Sequence, residues 1–150
     1  MEGRGSTGPG AGDEGAPGID DSAGNEQTIP VVAAVVERDG AYLLALRPGH
    51  KRHGGLWEFP GGKVASGESD ADALERELAE ELGVKVASVG SPLFGRRDPG
   101  TPFSIRFLRV KIHGEPRARE HDEVRWVRAA ELPTLPLAPV DRRFVLEVLG

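Results

Sequence analysis

The apolar residues of the chain become regular near Ile29, where short β-rich segments begin to alternate with polar turns. Residues 31–36 and 42–46 flank Arg38-Asp39-Gly40, and an Asp-Gly pair between two such segments predicts a β-hairpin. The same composition predicts further strands, namely a short one within residues 56–63 and others at residues 84–89, 103–112 and 124–127, with a Gly/Pro-rich loop over residues 95–102.

Two segments have the period of an α-helix instead. In the first, apolar residues recur at helical spacing at Ala71, Leu74, Leu78 and Leu82. Ser69, with Asp72 three residues later, predicts the start of this helix, and Gly83 predicts its end. Residues 140–149 predict a closing helix by the same spacing. Strands and two helices in mixed order predict an α/β fold in which a sheet lies between helices.

The first helix carries an acidic face beside its apolar stripe. Glu77, Glu80 and Glu81 stand three and four residues apart, which brings their side chains close together. Such like charges destabilise an isolated helix by roughly 0.2–0.5 kcal/mol per pair. A solvated surface would explain the acids, since acidic helix faces are common. A hard divalent cation with oxygen ligands would explain them equally well, because it would convert the repulsion into binding.

The net charge of the chain is concentrated in its first 28 residues. This segment holds eight glycines, six acids and one base, which accounts for the whole net charge of −5. Its few apolar side chains cannot offset the entropy of ordering, so we predict a disordered tail over residues 1–28 and one domain over residues 29–150. The domain has equal numbers of acids and bases, which argues against binding to duplex nucleic acid or to a membrane surface.

The sequence contains no segment typical of export or of membrane insertion. No basic segment is followed by a long apolar one, and the longest apolar stretch, residues 31–36, has only the length of a strand. The absence of cysteine is compatible with a reducing compartment. We therefore expect a cytoplasmic location, while the sequence makes no prediction about the oligomeric state.

Nine positions within residues 62–84 match a known motif without exception. They are Gly62, Glu68, Arg76, Glu77, Leu78, Glu80, Glu81, Gly83 and Val84. The motif is the Nudix box, G-x5-E-x7-R-E-U-x-E-E-x-G-U with U a bulky aliphatic residue, so the chain resembles a Nudix hydrolase. The resemblance implies the Nudix fold, an α/β/α sandwich with a mixed central sheet. It also implies hydrolysis of a nucleoside diphosphate linked to another group, with Mg²⁺ or Mn²⁺ as cofactor.

The resemblance further implies roles for individual residues. The implied metal ligands are Glu77, Glu80, Glu81, Glu120 and Gly61, with Glu123 as the weaker alternative to Glu120. The implied catalytic residues are the three box glutamates together with Arg76, which orients a catalytic glutamate, and Glu68. The candidate substrate-binding residues are Glu58, Asp141 and, as basic side chains suited to phosphate, Arg47 and Lys63, with residues 50–53 as a weaker basic cluster. Which carboxylate deprotonates the attacking water is left open.

A narrower resemblance extends over most of residues 29–150. Residues 55–64, 118–126 and 135–141 are similar to the MutT branch, which cleaves nucleoside triphosphates to a monophosphate and pyrophosphate. MutT proteins read 8-oxoguanine with an asparagine where this chain has Asp141, and the surrounding Leu-Ala-Pro-x-Asp is closer to the branch that acts on CTP and damaged cytosine nucleotides. A carboxylate accepts from the cytosine amino group, but oxidised guanine also offers N–H donors. Asp141 is equally suited to cap the last helix.

Within the enzyme class, a cap or dinucleoside-polyphosphate hydrolase is an open alternative, and two other functions are compatible with parts of the sequence. Pro99 lies fifteen residues past Val84, as in ADP-ribose pyrophosphatases, which favours a nucleotide-sugar substrate. A nucleotide-sensing module without catalysis is a second alternative, although such modules typically lack box acids and this chain has them all. Magnesium-dependent release of pyrophosphate from triphosphates distinguishes the MutT-type activity from both.

Overall fold

The computed structural model describes residues 27–150. In that range the elements are β1 (Ile29–Val35), β2 (Glu37–Arg38), β3 (Ala41–Leu46), β4 (Trp57–Glu58), β5 (Gly61–Lys63), α1 (Asp70–Leu82), β6 (Lys85–Arg97), β7 (Phe103–His113), β8 (Glu123–Arg128), a 3-10 helix (Ala129–Thr134), α2 (Pro139–Phe144) and a closing π-helical turn (Val145–Leu149). The predicted disordered tail lies outside the described residues except for Gln27 and Thr28, and it stays a prediction. No helix within residues 27–150 is long and apolar enough to cross a bilayer.

The strands form two sheets. The first has the order β5-β1-β7-β6, with β1 parallel to β7 and the other pairs antiparallel, so it is mixed as predicted. In the second, β3 pairs antiparallel with β2, β4 and β8. The first sheet therefore brings β5, which precedes the acidic helix, alongside the central strand β1.

Strand β1 is buried on both faces, which explains its continuous apolar sequence. Val32 and Ala34 pack with α1 in one core cluster, whereas Ala33 and Val35 pack in a second cluster that includes Phe144 of α2. The second cluster contains an aromatic group in which the Phe107 and Phe144 rings stack with centroids 4.5 Å apart. The two helices thus cover opposite faces, and the predicted α/β/α sandwich is confirmed.

The local signals for α1 are confirmed. The Ser69 side chain accepts a hydrogen bond from the Asp72 N–H at 3.0 Å, and Gly83 ends the helix with φ +69°. Leu74, Leu78 and Leu82 are fully buried as predicted. The prediction that Ala71 belongs to the buried stripe is wrong, because Ala71 is exposed and Ala73 is buried instead.

Three other expectations about elements need correction. The turn at Asp39-Gly40 forms, with φ of 53° and 81°, but it joins β3 only to the two-residue β2, because β1 turns into the other sheet. The predicted strand at residues 84–89 continues to Arg97 through register shifts, so the following loop is shorter than residues 95–102. The closing helix is α-helical only to Phe144 and then widens into a π-helical turn.

Candidate active site

A cleft of about 400 Å³ opens between the two sheets and the C-terminal end of α1. Its walls come from β1, β4, β5, β7, the start of α2, the β3–β4 and β6–β7 loops and the segment before β8. The predicted site residues that line it are Arg47, Glu58, Gly61, Lys63, Glu81, Glu120 and Asp141. Glu68, Arg76, Glu77 and Glu80 are not among its lining residues and lie on the adjoining face of α1. The structure thus brings the candidates into one region, arranged in two groups.

The Glu77 carboxylate lies directly against Gly62 of β5. A Cβ atom added at position 62 would lie 2.4 Å from Glu77 Cδ and 2.5 Å and 2.7 Å from its two oxygens. The side chain of Glu77 is only 15% exposed. The position of Glu77 therefore requires a glycine at position 62. The preceding residue, Gly61, packs instead against the backbone of β1 at Val32.

Arg76 joins the box carboxylates that lie outside the cleft. Its guanidinium donates to both oxygens of Glu68, at 2.8 Å and 2.9 Å, and to Glu77 Oε2 at 3.0 Å. Glu80 Oε1 lies 3.7 Å from Arg76 Nη1, and the Lys63 carbonyl accepts a hydrogen bond from Arg76 Nη2 at 3.1 Å. The hydrogen bonds from Arg76 and then from the Ala65 N–H lower the pKa of Glu68 to about 2. The pKa of Arg76 is raised in turn by its bonds to Glu68 and Glu77.

Glu81 is placed very differently from its neighbours on the helix. It is 7% exposed, and its buried Oε1 has no hydrogen-bond partner among the described residues. Burial, followed by the neighbouring carboxylates of Glu77, Glu58 and Glu120, raises the pKa of Glu81 to about 9. An unpaired acceptor surrounded by negative groups at the wall of a cleft is a position that a cation would stabilise.

The carboxylates fit a hard divalent cation in type and charge, but they are not gathered into a coordination shell. Within residues 27–150, no three His, Asp or Glu side chains lie close enough together to hold an ion. Glu80 differs from the buried carboxylates, since its side chain is 54% exposed and lies 3.7 Å from Arg76 Nη1. Glu81, Glu120 and the Gly61 backbone line the cleft, and the Glu77 carboxylate lies beside them against Gly62, so these are the better placed donors.

For the acid in the late loop, the structure favours Glu120 over Glu123. Glu120 lines the cleft near Glu81, with the neighbouring Arg119 N–H bonded to the Glu81 carbonyl at 3.0 Å. Glu123 lies on β8 and pairs instead with Arg125 at 3.1 Å.

The two basic candidates differ in how they are held. Arg47 donates from Nη1 to Glu58 Oε1 at 2.9 Å and from Nε to the Arg52 carbonyl at 2.6 Å. The ammonium of Lys63 lies over the ring of Phe103, 5.3 Å from its centroid. Arg47 is thus fixed, and Lys63 keeps the freedom of an exposed side chain.

The cleft contains two functional candidates that sequence reasoning missed. His121 hydrogen-bonds through Nε2 to Glu58 Oε2 at 2.9 Å with a side chain only 7% exposed. Asp98 is buried and lies 3.2 Å from His53 Nε2 and 3.6 Å from Arg52 Nε, so part of the basic cluster at residues 50–53 does line the cleft. The His121–Glu58 and His53–Asp98 contacts each join residues that are distant in sequence. The presence of a histidine is the only sequence signal that could have indicated either contact.

Asp141 forms part of the cleft wall and does not cap the last helix. The N-cap of α2 is Ala138, so the capping alternative is wrong. The carboxylate instead accepts the Phe59 N–H at Oδ2, at 2.9 Å. Burial, followed by the charge of Glu58, raises the pKa of Asp141 well above its usual range. This side chain can therefore carry a proton, and a carboxylic acid both donates and accepts hydrogen bonds.

The comparison with known proteins agrees with this arrangement. The NUDIX domain profile matches residues 27–148. The chain is 45% identical to the CTP pyrophosphohydrolase of Escherichia coli over 116 residues, which cover 75% of this chain and 85% of that protein. It is 42% identical over 121 residues to the putative 8-oxo-dGTP diphosphatase 2 of Mycobacterium tuberculosis, covering 79% and 86%. The crystal structure of a MutT NUDIX hydrolase from Burkholderia pseudomallei superposes with a TM-score of 0.71 at 30% identity, covering 82% and 99%.

Proposed function

The chain belongs to the Nudix hydrolase family, and from this premise we propose that it cleaves nucleoside triphosphates to a monophosphate and pyrophosphate with bound Mg²⁺, or Mn²⁺ in its place. The observation that carries the proposal is the composition of the cleft. Glu81 and Glu120 lie at one side, Arg47 is held in the same cavity by Glu58, and the carboxyl group of Asp141 reaches into the wall. A triphosphate needs these three features, namely a cation site, a phosphate contact and a base contact.

In this proposal Glu77, Glu81 and Glu120, with Glu80 and the Gly61 backbone, hold the metal. A bound magnesium ion would polarise the phosphoanhydride and lower the pKa of a coordinated water. Arg76 keeps Glu68 and Glu77 in place through its hydrogen bonds. Glu68 is a poor candidate for the general base because its pKa is held near 2. The box glutamates on the helix are better suited to accept the proton from the attacking water.

Arg47 and Lys63 contact the phosphates in this proposal, and Asp141 contacts the base. A protonated Asp141 presents both a donor and an acceptor, which suits the N3 and amino edge of cytosine as well as the edge of oxidised guanine. The relatives named as a CTP pyrophosphohydrolase and a putative 8-oxo-dGTP diphosphatase support the same pair of substrates. The single feature that favoured ADP-ribose, Pro99, is exposed and is not a lining residue of the cleft.

Pyrophosphate release with Mg²⁺ tests the proposal across 8-oxo-dGTP, dGTP, CTP, dCTP, 5-methyl-dCTP and ADP-ribose. We expect turnover of 8-oxo-dGTP or of the cytosine nucleotides to a monophosphate and pyrophosphate. Glu77→Gln and Glu81→Gln should reduce kcat at least a hundredfold, whereas Glu75→Gln, an exposed acid on the same helix, serves as the matched control. Wild-type turnover in both box variants, or activity on ADP-ribose alone, would refute the proposal.

A further inference from the structure

We infer that His121 is a positioning residue. Through its hydrogen bond to Glu58, it fixes the position of the candidate metal ligand Glu120 relative to the candidate phosphate contact Arg47. This inference deepens the proposed function and rests on it, because it takes Glu120 as a metal ligand and Arg47 as a substrate contact. His121 itself is not required to contact either ligand.

The contacts form a continuous chain across the cleft wall. His121 Nε2 lies 2.9 Å from Glu58 Oε2, and Arg47 Nη1 lies 2.9 Å from Glu58 Oε1. Glu58 has one oxygen for each partner, and its side chain is 17% exposed. Both oxygens are therefore engaged within the protein, so Glu58 serves the cleft by fixing its neighbours.

Two side-chain contacts anchor the segment that carries Glu120, namely the His121–Glu58 hydrogen bond and the donation from Arg119 Nη1 to the Ala79 carbonyl at 3.3 Å. On one side the Arg119 N–H donates to the Glu81 carbonyl at 3.0 Å, and on the other the Asp122 N–H donates to the Leu46 carbonyl at 3.0 Å. Glu120 and His121 lie between these two backbone anchors. The hydrogen bond from His121 ties that short segment to β4, where Glu58 also sets the direction of Arg47.

Packing alone does not account for a histidine at this position. The carboxylate of Glu58 accepts hydrogen bonds, so His121 presents Nε2–H to it. Nδ1 is then a buried nitrogen, and it has no partner within the described part of the chain. An apolar side chain of similar size would fill the space without burying an unpaired nitrogen, which carries a free-energy cost. The feature that the imidazole adds is the bond to Glu58.

The test compares His121→Leu, which removes the donor, with His121→Gln, whose amide can donate from nearly the same place. Mn²⁺ binding without nucleotide is measured by calorimetry, and KM and kcat for the preferred triphosphate are measured separately. We expect His121→Leu to weaken Mn²⁺ binding and to raise KM about tenfold each, a change of about 1.4 kcal/mol. His121→Gln should stay within about threefold of wild type, as should His113→Leu, a control at an exposed histidine at the end of β7.

Glu58→Gln provides the second arm, because an amide has one oxygen and can accept from only one of Arg47 and His121. It should reproduce the losses of His121→Leu, and the double variant should be little worse than either single one. If His121→Leu does not fold, Glu58→Gln is judged by the same tenfold criterion.

Wild-type Mn²⁺ binding and KM in His121→Leu, with only a lower Tm, would overturn the inference, and so would additive losses in the double variant. The proposed function fails separately, if the wild-type protein releases no pyrophosphate from any triphosphate. Weaker Mn²⁺ binding in His121→Leu would still support the positioning role in that case.

Discussion

Replacing Gly62 by alanine is expected to displace the Glu77 carboxylate while leaving the fold intact. The added Cβ would lie 2.4 Å from Glu77 Cδ. Carbon atoms in contact prefer a separation of about 3.5–4.0 Å, so the carboxylate must retreat by roughly 1 Å. The obstacle is the end of a flexible side chain, and Gly62 is not among the glycines with positive φ, so the backbone accepts alanine there.

The size of the effect follows from the geometry. A misplacement of about 1 Å in a catalytic group costs on the order of 100-fold in rate, equivalent to about 2.7 kcal/mol of transition-state stabilisation. The cost to folding is smaller, because the displaced contact is the ion pair of Glu77 with Arg76, whose side chain is 36% exposed. Such partly exposed pairs contribute at most about 1 kcal/mol, which for a domain of this size lowers Tm by at most roughly 4 °C.

Gly61→Ala is the matched comparison, since the neighbouring glycine meets backbone instead of a side chain. Its Cβ would lie 1.9 Å from the Val32 carbonyl oxygen, and β5 pairs with β1 at this point. The strand pair would have to open, which costs about 1–3 kcal/mol or more and lowers Tm accordingly. Steady-state pyrophosphate release and thermal melts compare the two variants. Wild-type kcat/KM in a folded Gly62→Ala protein would refute the role given to the Glu77 carboxylate.

Three further predictions concern other parts of the molecule. Burial raises the pKa of Glu81 to about 9, above its unfolded value, so the metal-free protein should lose stability as the pH rises from about 4.5 to 9. Glu81→Gln should flatten this slope in denaturant unfolding with EDTA at pH 5, 7 and 9, and an unchanged slope would contradict it. Asp141→Asn keeps an acceptor for the Phe59 N–H, so it should change the base preference at least tenfold while its Tm stays near that of wild type. Asp141→Ala should lower the free energy of unfolding by about 1–3 kcal/mol, because the Phe59 N–H loses its partner. An unchanged base preference in the asparagine variant would count against contact of Asp141 with the base. Deletion of residues 1–28 should leave kcat/KM within about twofold of wild type, and a large loss in the same assay would show that the domain boundary is wrong.

Features set by neighbouring residues could be predicted from the sequence. The cap at Ser69, the end of α1 at Gly83 and the turn at Asp39-Gly40 each depend on a few adjacent residues with strong conformational preferences. The Nudix box lies largely within this one helix and the segment before it. For that reason the sequence alone predicts that its residues lie close together on α1 and the segment before it.

Features set by distant residues could not be predicted in this way. Glu58 and His121 are 63 positions apart, and Phe59 and Asp141 are 82 positions apart. Each pair meets only because the β3–β4 region packs beside the segment before β8 and beside α2. The departure of β1 from the predicted hairpin has the same origin, since its pairing with β7 depends on a strand some seventy residues later.

The acidic face of α1 combines the two explanations that its sequence left open. Successive residues on a helix differ by about 100° in direction, so Glu80 and Glu81 point to different surroundings despite being adjacent. Glu80 is exposed and lies 3.7 Å from Arg76, so a solvated face is sufficient to explain its position, and the proposed metal site uses it in addition. Glu81 is buried and unpaired at one oxygen, which a solvated face does not explain. Arg76 compensates the carboxylates on its own side of the helix, including Glu68. Burial makes the ionised form of Glu81 costly, as its raised pKa shows, and its Oε1 has no hydrogen-bond partner among the described residues. A divalent cation at this position would offset that cost and stabilise the ionised carboxylate.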